Sequence, residues 1–216
     1  MSSPLPSGSV IGILGGGQLG RMLAMAAARL GYKAHIFESA MAPAADVAAD
    51  WTMAGYDDLD ALAAFARACD VITFEFENIP AEALDALSVT PLYPSRRALE
   101  VSQDRLVEKR FLQGLGLATA PFAEVTSIEA ALAEVGTPAI LKTRRFGYDG
   151  KGQSRVMAPE DGAAALATLN GAPAIAEGFV DFSKEISVIA ARNPDGQVAA
   201  FDPGENVHVD GIQSTT

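Results

Sequence analysis

The stretch "VIGILGGGQLG", residues 10–20, places a run of apolar residues directly before a cluster of glycines. Val10–Leu14 has the composition of a buried strand, and the apolar spacing that follows, as far as Gly31, predicts a helix. The glycines between them have the spacing G-x-G-x-x-G and are Gly15, Gly17 and Gly20. In such a turn the backbone amides at the helix start can face a phosphate without a side chain in the way. The stretch therefore predicts a strand–helix unit with an anion-binding turn.

The residues after this unit repeat the alternation of strands and helices. Lys33–Glu38 predicts a second strand, residues 57–68 a helix with acidic residues at its start, and residues 70–80 a strand that ends at a proline-marked turn. Strands that alternate with helices are typical of βαβ units in a parallel sheet. We therefore predict an α/β domain with a Rossmann-like parallel sheet over residues 1–104.

The pattern changes after Pro94, where one charged helical stretch covers residues 95–116. Thr126 and Glu129 then have the spacing of a capping box at a helix start. Short strands and turns follow, and they predict an α+β arrangement with antiparallel pairing. The predicted strands are residues 122–125, 139–142, 174–177, 185–192 and 197–201, with a helix at 160–169. We predict a second domain over residues 105–216.

The composition of the 216 residues, 49% of them hydrophobic, is that of a packed globular protein. With 16 Lys and Arg against 27 Asp and Glu, the formal charge of -11 disfavours binding to nucleic acid. No apolar run approaches the roughly 20 residues that span a bilayer, and the first residues do not resemble a secretion signal. Cys69 is the single cysteine, so internal disulfides are excluded. We expect a cytoplasmic protein with no membrane partner and no nucleic-acid partner.

A second glycine-rich stretch, "LKTRRFGYDGKGQ" at residues 141–153, is the strongest sign of a chemical function. Lys142 ends a predicted buried strand, and the cations that flank the following glycines are Arg144, Arg145 and Lys151. Several cations on a glycine backbone can fold over a triphosphate and neutralise its oxygens. An exposed basic turn is the alternative. The spacing is not that of a Walker loop, which needs Gly-Lys-Ser/Thr before a helix, so the stretch predicts a phosphate-binding loop of another type.

Glu177 and Glu185 lie at the facing ends of two predicted strands, on either side of a short apolar link. The backbone of such a link can hydrogen-bond to a flat adenine, and a carboxylate at Glu185 can accept the hydroxyl groups of a ribose. Two solvated glutamates at strand ends are the alternative. The pair is therefore a candidate nucleoside site.

Several further residues have two open interpretations. Glu38 closes the second strand about twenty residues after the glycine turn, where a dinucleotide-binding fold holds ribose. The turn is therefore an NAD site, a site for another anion at the helix start, or a place of close packing. Glu75 lies at the carboxyl end of a strand, where ligands of α/β sheets bind, or in a solvated turn. His208 is a phosphate contact or an ordinary turn residue, and no further metal ligands are identifiable beside it. His35 is expected to be structural, and Cys69 is not expected to be a nucleophile.

The segments "GGGQLGRML", "TFEFENIP", "QDRLVEKRFL", "LKTRRFGYDGKGQ", "AEGFVDFSKEISV" and "ENVHVDGI", in this order, resemble the ATP-grasp family of 5-(carboxyamino)imidazole ribonucleotide synthases. Together they extend over nearly the whole chain. The tyrosine-bearing glycine loop and "FEFENIP" are specific to this branch, whereas the first glycine motif occurs in many folds. The resemblance implies a pre-ATP-grasp substrate domain over the Rossmann-like sheet. An ATP-grasp domain, incomplete at its C-terminus, would follow with a lid subdomain at about residues 122–180.

The resemblance also implies an activity in purine (IMP) biosynthesis. ATP would phosphorylate bicarbonate to carboxyphosphate, and the exocyclic amine of aminoimidazole ribonucleotide would take the carboxyl group, with no covalent enzyme intermediate. The implied catalytic residues are Tyr148, Asp149 and Lys151. Those implied for ATP binding are Arg105, Lys142, Gly147, Tyr148, Asp149, Gly150, Lys151, Gly152, Gln153, Glu177, Gly178, Phe179, Val180, Glu185 and His208. Those implied for the ribonucleotide are Gly17, Gln18, Leu19, Arg21 and Glu75.

The family pattern continues beyond Thr216, and "ENVHVDGIQSTT" resembles a loop that leads into a further strand. ATP and magnesium are the implied cofactors, with the metal ligands expected after residue 216 and none in this chain. The chain would then be an N-terminal portion that is nearly inactive alone, because the triphosphate charge is only partly neutralised. The expected partners are ATP, bicarbonate, aminoimidazole ribonucleotide and a second copy of the chain in a homodimer. An NAD-dependent oxidoreductase and a non-catalytic nucleotide-binding module stay as alternatives.

Overall fold

The computed structural model describes residues 4–147, 151–209 and 212–216. The chain divides into two structural units, of which one ends at Gln103 and the other begins at Asp104. Within the described residues, no helix is long and apolar enough to cross a membrane.

The N-terminal unit is built on four parallel strands, which are β1 Val10–Leu14, β2 Lys33–Glu38, β3 Asp50–Met53 and β4 Val71–Phe74. Their order in the sheet is β3-β2-β1-β4. The helices of this unit are α1 Gln18–Arg29, α2 Leu59–Arg67, α3 Ala81–Asp85 and α4 Arg96–Ser102, and a 3-10 helix covers Pro43–Asp46. The predicted parallel α/β sheet is confirmed, and β3 is a strand that the sequence analysis missed.

Both faces of this sheet are buried, as is usual for a parallel sheet. On one face Leu14 and Phe37 pack with Phe65 of α2. On the other face Ile13 and Ile36 pack with Ala24 of α1. Successive residues of β1 and β2 therefore face opposite layers, which explains why β1 is apolar along its length and why residues 34–37 of β2 are all buried.

The C-terminal unit begins with α5, Arg105–Gly114, and continues into a four-stranded antiparallel sheet. The strands are β5 Phe122–Glu124, β6 Ala139–Thr143, β7 Gln153–Val156 and β8 Ala174–Gly178, in the order β5-β8-β6-β7. The helices α6 Ile128–Val135 and α7 Gly162–Ala167 cover one face, where they pack on Leu141 and Ala176. Lys142 and Glu177 are the next residues along β6 and β8, so they lie on the opposite face.

The last part of this unit forms two further antiparallel sheets. Its strands are β9 Glu185–Ser187, β10 Ala190–Arg192, β11 Val198–Ala200, β12 Gly204–Val209 and β13 Ile212–Thr215. β10 pairs with β11, and β12 lies between β9 and β13. The single strand predicted over residues 185–192 is wrong, because β9 and β10 belong to different sheets. The loop predicted at the chain end is also wrong, since β12 and β13 pair with each other.

Local side-chain caps explain two other differences from the sequence analysis. The helical stretch 95–116 is two helices instead of one, because the Asp104 carboxylate accepts two backbone N–H groups at the start of α5 and acts as its N-cap. The N-cap of α6 is Ser127, whose Oγ accepts a backbone N–H of the first turn. The capping box predicted from Thr126 is therefore wrong by one residue.

Candidate functional site

The glycine turn of the N-terminal unit holds two carboxylates of the protein itself. Glu38 ends β2 and Glu75 follows β4, so both lie at the carboxyl edge of the parallel sheet, beside the turn. The N–H of Gly16 donates to Glu38 Oε2 at 3.0 Å, and the N–H of Gly17 donates to Glu75 Oε1 at 3.0 Å. The amides that the sequence assigned to an anion therefore do bind anionic groups, but these groups are side chains.

Close packing accounts for two of the three motif glycines. Gly15 has a φ of 107°, and a Cβ there would lie 2.7 Å from Glu75 Oε1. A Cβ on Gly20 would lie against the carbonyl oxygen of Gly15, closer than real Cβ contacts. The packing interpretation that the sequence left open thus describes Gly15 and Gly20, while Gly17 supplies a hydrogen-bond donor.

The turn is rich in hydrogen-bond acceptors. Burial raises the pKa of Glu75, the N–H of Gly17 lowers it in part, and the carboxylates of Glu38 and Glu77 raise it further. Burial, together with Glu38 and Glu75, also raises the pKa of Tyr56, whose hydroxyl donates to a backbone carbonyl at 3.3 Å. A ligand that donates hydrogen bonds would relieve the repulsion between these carboxylates.

The other residues implied for the ribonucleotide lie on α1. Gly17 is the N-cap of this helix, and Gln18 and Leu19 form its first turn. Arg21 is directed elsewhere, because its Nη1 donates to Asp46 Oδ2 and to a backbone carbonyl of the 3-10 helix, each at 3.0 Å. The structure thus brings Gly17, Gln18 and Leu19 together at the start of α1, whereas the Arg21 guanidinium is held by the 3-10 helix.

A buried carboxylate with two ammonium groups lies on the sheet of the C-terminal unit. Glu177 is 7% exposed, and its Oε2 is 2.9 Å from Lys142 Nζ and 3.4 Å from Lys109 Nζ. Ile140 lies directly opposite Glu177 in the register of β6 and β8, which places Lys142 diagonally across on the same face. Strand pairing therefore brings together Lys142, implied to bind phosphate, and Glu177, implied to lie beside adenine.

Lys109 is a functional candidate that the sequence analysis missed. It lies four residues after Arg105 on α5, so the two side chains share one face of that helix. Its Nζ is 5.7 Å from the centre of the Phe122 ring, and 15% of the side chain is exposed. The spacing from Arg105 was the signal in the sequence that could have identified it.

Arg105 holds the backbone at the start of the glycine-rich loop, after Thr143. Its guanidinium donates to the carbonyl oxygen of Thr143 at 2.7 Å and to that of Gly147 at 2.9 Å. A Cβ on Gly147 would lie 2.8 Å from Arg105 Nη1, so a side chain there would disturb this contact. Where the chain returns, the carbonyl oxygen of Gly152 accepts the N–H of Thr143 at 2.8 Å. The structure thus shows Arg105, implied to contact phosphate, anchoring the base of the loop.

The tip of the loop, Tyr148, Asp149 and Gly150, lies outside the described residues, including two of the implied catalytic residues. Lys151 follows as an exposed residue, and Gln153 begins β7 directly opposite Lys142. The Arg145 guanidinium lies 5.5 Å from the ring of the neighbouring Phe146. The described parts of the loop therefore place Gln153 close to Lys142.

Arg144 forms ion pairs with two carboxylates of the C-terminal unit. Its Nη2 is 2.7 Å from Asp104 Oδ2, and its Nη1 is 2.9 Å from Glu124 Oε1. Burial raises the pKa of Asp104, but the hydrogen bonds from Arg144 and from two backbone N–H groups outweigh it, so the net pKa lies below its ordinary value. The sequence pattern groups Arg144 with the phosphate-binding cations, whereas the structure shows it joining α5 to the ends of β5 and β6.

Glu185 and His208, both implied to bind ATP, are in contact. His208 Nε2 lies 3.3 Å from Glu185 Oε1, and the same oxygen accepts a hydrogen bond from Asn206 at 3.0 Å. They line a cleft of about 550 Å³ that also contains Gln153 at the start of β7. The pairing of β9 with β12 thus brings together residues that are more than twenty positions apart in the sequence.

The link after β8 has a fixed backbone and exposed apolar side chains. The N–H of Gly178 donates to the carbonyl oxygen of Pro121 at 2.8 Å, and that of Phe179 donates to Pro138 at 3.0 Å. The side chains of Phe179 and Val180 are exposed. The link can therefore offer an apolar surface to a flat ring, while two of its N–H groups already have partners within the protein.

Metal binding and nucleophilic catalysis by the cysteine find no support in the described residues. In residues 4–147, 151–209 and 212–216, no three His, Cys, Asp or Glu side chains come together as a metal site. Cys69 is buried with its Sγ 3.9 Å from His35 Nδ1, and burial raises the pKa of the thiol to about 12. The cysteine therefore stays a protonated thiol at neutral pH.

Two families of domains match the two structural units. The family described as "Ribonucleotide synthetase preATP-grasp domain" matches residues 9–103, and the ATP-grasp domain matches residues 110–216. Together they account for almost the whole of the chain.

The N5-carboxyaminoimidazole ribonucleotide synthase of Brucella melitensis is 56% identical to this chain, over 98% of the chain and 60% of the relative. Two solved structures are similar in fold. The N5-carboxyaminoimidazole synthetase of Staphylococcus aureus complexed with ADP has a TM-score of 0.91 at 37% identity, over 97% of this chain and 57% of that one. The N5-carboxyaminoimidazole synthase of Aspergillus clavatus in complex with ADP and 5-aminoimidazole ribonucleotide has a TM-score of 0.83 at 28% identity, over 96% and 56%. The chain spans well under two thirds of the length of each of these relatives. Because both of its domains match family models, and a named synthase is 56% identical to it, the chain belongs to the ATP-grasp family, in the branch of the N5-carboxyaminoimidazole ribonucleotide synthases.

Proposed function

We propose that this chain takes part in the ATP-dependent carboxylation of 5-aminoimidazole ribonucleotide in de novo purine biosynthesis. ATP transfers its γ-phosphoryl group to bicarbonate, which gives ADP and carboxyphosphate. The exocyclic amine of the ribonucleotide attacks the carboxyl carbon, a C–N bond forms, the C–O bond to phosphate breaks, and the amine loses a proton. The enzyme is thus an ATP-grasp ligase that forms a carbon–nitrogen bond.

The proposal rests on the arrangement of cations around β6, in a chain that is 56% identical to an N5-carboxyaminoimidazole ribonucleotide synthase. Lys142 lies near the end of the strand, and Arg105 anchors the loop that follows it. Cations preorganised around a glycine backbone stabilise the charge that develops during phosphoryl transfer. No covalent enzyme intermediate is needed, because positioning and charge neutralisation suffice for this chemistry.

In this proposal the domain over residues 105–216 binds ATP, with a lid subdomain at about residues 122–180. The contact between Glu185 and His208, on a cleft of about 550 Å³, supports a nucleoside site there. The proposed roles are phosphate binding by Arg105 and Lys142, cover by the loop Gly147 to Gln153, an adenine frame from Glu177 to Val180, a ribose contact at Glu185, and nucleotide contact at His208.

The domain over residues 1–104 binds the ribonucleotide. Glu75 supports this part of the proposal, because its half-buried carboxylate beside the glycine turn can accept hydrogen bonds from a hydroxyl or an amine. The proposed ribonucleotide contacts are Gly17, Gln18, Leu19, Arg21 and Glu75. The proposed catalytic residues, near the reacting groups, are Tyr148, Asp149 and Lys151.

Magnesium, a cytoplasmic location and a homodimer are further parts of the proposal. The described residues contain no group of three side chains that fits a metal ion, so no step is assigned to magnesium. The single cysteine, a buried thiol, supports a reducing compartment. Sedimentation equilibrium tests the homodimer.

Neither alternative function is favoured. An NAD-dependent oxidoreductase would need Glu38 to hold a ribose, but this carboxylate accepts hydrogen bonds from Gly16 and Ser39. Such an enzyme would also give no role to the cations around Lys142. A non-catalytic nucleotide-binding module would leave the similarity to named synthases without a function.

The test is ADP release from ATP in the presence of bicarbonate and magnesium, before and after addition of aminoimidazole ribonucleotide. Equilibrium titrations with ADP, the ribonucleotide and NADH accompany it. Release that rises with the ribonucleotide supports the proposal. A chain that binds neither ADP nor the ribonucleotide, or that binds NADH in preference to both, contradicts it.

A further inference from the structure

Lys109 and Lys142 share one oxygen of a buried carboxylate. Their Nζ atoms are 3.4 Å and 2.9 Å from Glu177 Oε2, and the Glu177 side chain is 10% exposed. A buried carboxylate must have a cationic or hydrogen-bonding partner, because an unpaired charge in the protein interior is strongly unfavourable. One ammonium group meets this need, so the cluster carries one positive charge more than Glu177 requires.

The two lysines differ in their surroundings. Lys142 lies one residue before the end of β6, opposite Gln153, where the glycine-rich loop returns to the sheet, and 25% of its side chain is exposed. Lys109 is 15% exposed, with its ammonium group 5.7 Å from the centre of the Phe122 ring. A lysine side chain is flexible and carries a mobile point charge. Lys142 can therefore turn from Glu177 to a ligand at the loop, while Lys109 stays with the carboxylate.

We propose that Lys109 is a positioning residue that neutralises Glu177 when Lys142 leaves it to bind a nucleotide phosphate. This inference rests on the proposed function, since the ligand of Lys142 is taken to be ATP or ADP. Without Lys109, Glu177 would retain Lys142, because the departure of Lys142 would leave a buried carboxylate unpaired. Loss of Lys109 should therefore weaken nucleotide binding although Lys109 itself contacts no nucleotide.

A double-mutant cycle read by calorimetric titration with ADP tests this role. In the wild-type background, Lys109→Met should raise the Kd for ADP about tenfold or more. In the Glu177→Gln background the same change should alter the Kd by less than about twofold, since a neutral amide does not retain Lys142. A direct contact between Lys109 and phosphate would instead give a similar loss in both backgrounds, which would overturn the inference.

Two further variants separate this role from general effects. Lys109→Arg keeps the positive charge and should bind ADP within about threefold of wild type, whereas a loss as large as that of Lys109→Met would overturn the inference. Arg110→Met removes an exposed cation from the next position of the same helix and should leave the Kd unchanged. If Lys109→Met binds ADP as Arg110→Met does, Lys109 has no such role. A wild-type chain that binds no ADP would overturn the proposed nucleotide site itself, whereas ADP binding that Lys109→Met leaves unchanged would overturn this inference alone, so the two failures are distinguishable.

Discussion

Replacement of Arg144 by methionine should lower the free energy of unfolding of the C-terminal unit by about 2 kcal/mol. The guanidinium lies 2.7 Å from Asp104 and 2.9 Å from Glu124, and these three side chains are 25%, 16% and 37% exposed. Removing one partner of a fully buried pair costs about 3–5 kcal/mol, and removing one of an exposed pair about 0–1 kcal/mol. The exposures place Arg144 between these limits, and methionine retains most of the apolar stem.

The assay is urea unfolding followed by circular dichroism, with a lower midpoint expected for Arg144→Met at an unchanged dependence on urea. Arg110→Met is the matched control, because Arg110 is 62% exposed and lies 3.3 Å from the same Glu124. We expect the control to change stability by less than about 0.5 kcal/mol. Asp104→Asn should couple to Arg144→Met by about 1 kcal/mol or more in a double-mutant cycle. An effect of Arg144→Met no larger than the control, or additive single effects, would refute the ion-pair argument.

Three other changes have expected outcomes. Gly20→Ala should destabilise the protein by about 1–3 kcal/mol in thermal unfolding, because the added Cβ would overlap the Gly15 carbonyl oxygen. Gly114→Ala is the control and should not destabilise it, since the space around Gly114 is open. Equal effects of the two changes would contradict this argument. Burial lowers the pKa of His35, and this effect outweighs the attraction of the Asp50 carboxylate, which raises it. Below pH 6.5 the unfolded chain therefore binds a proton that the folded chain does not, and the stability should decrease as the pH is lowered. His35→Gln should remove that part of the loss in urea midpoints measured at pH 7.5 and pH 5. The raised pKa of Glu75 gives the opposite pH dependence, because the folded chain holds this proton more tightly than the unfolded chain. Its contribution to stability therefore decreases as the pH rises above 4.5, and Glu75→Gln should flatten the profile of urea midpoints from pH 4 to pH 7. A variant profile parallel to wild type would contradict either pKa argument.

The elements that the sequence predicted correctly are those with a strong local pattern. β1 is a continuous apolar strand, β2 has an apolar centre, and α1 follows a glycine turn with a helical period, and these local signals agree with the tertiary fold. β3 was missed because Asp50–Met53 is short, with few apolar residues, and becomes a strand by pairing with β2. The predicted strand 185–192 failed for a related reason, since its two halves have different partners.

The candidate site divides in the same way. The glycine-rich loop and Lys142 were identifiable from residue type and spacing. The ion pair of Lys142 with Glu177 was not, because it depends on a register that places Ile140 opposite Glu177 across two strands distant in sequence. The spacing from Arg105 places Lys109 on the same face of α5, but its contact with Glu177, on a strand distant in sequence, could not be predicted from the sequence.

The most direct test of the account is an equilibrium titration of the 216-residue chain with ADP, compared between wild type, Lys142→Met and Arg192→Met. Arg192 is an exposed cation on β10 and serves as the control for loss of positive charge. We expect saturable binding by wild type and by Arg192→Met, with a Kd at least about tenfold higher for Lys142→Met. Absence of binding by wild type, or equal affinities of the two variants, would contradict the claim that the cations around β6 form a nucleotide-phosphate site.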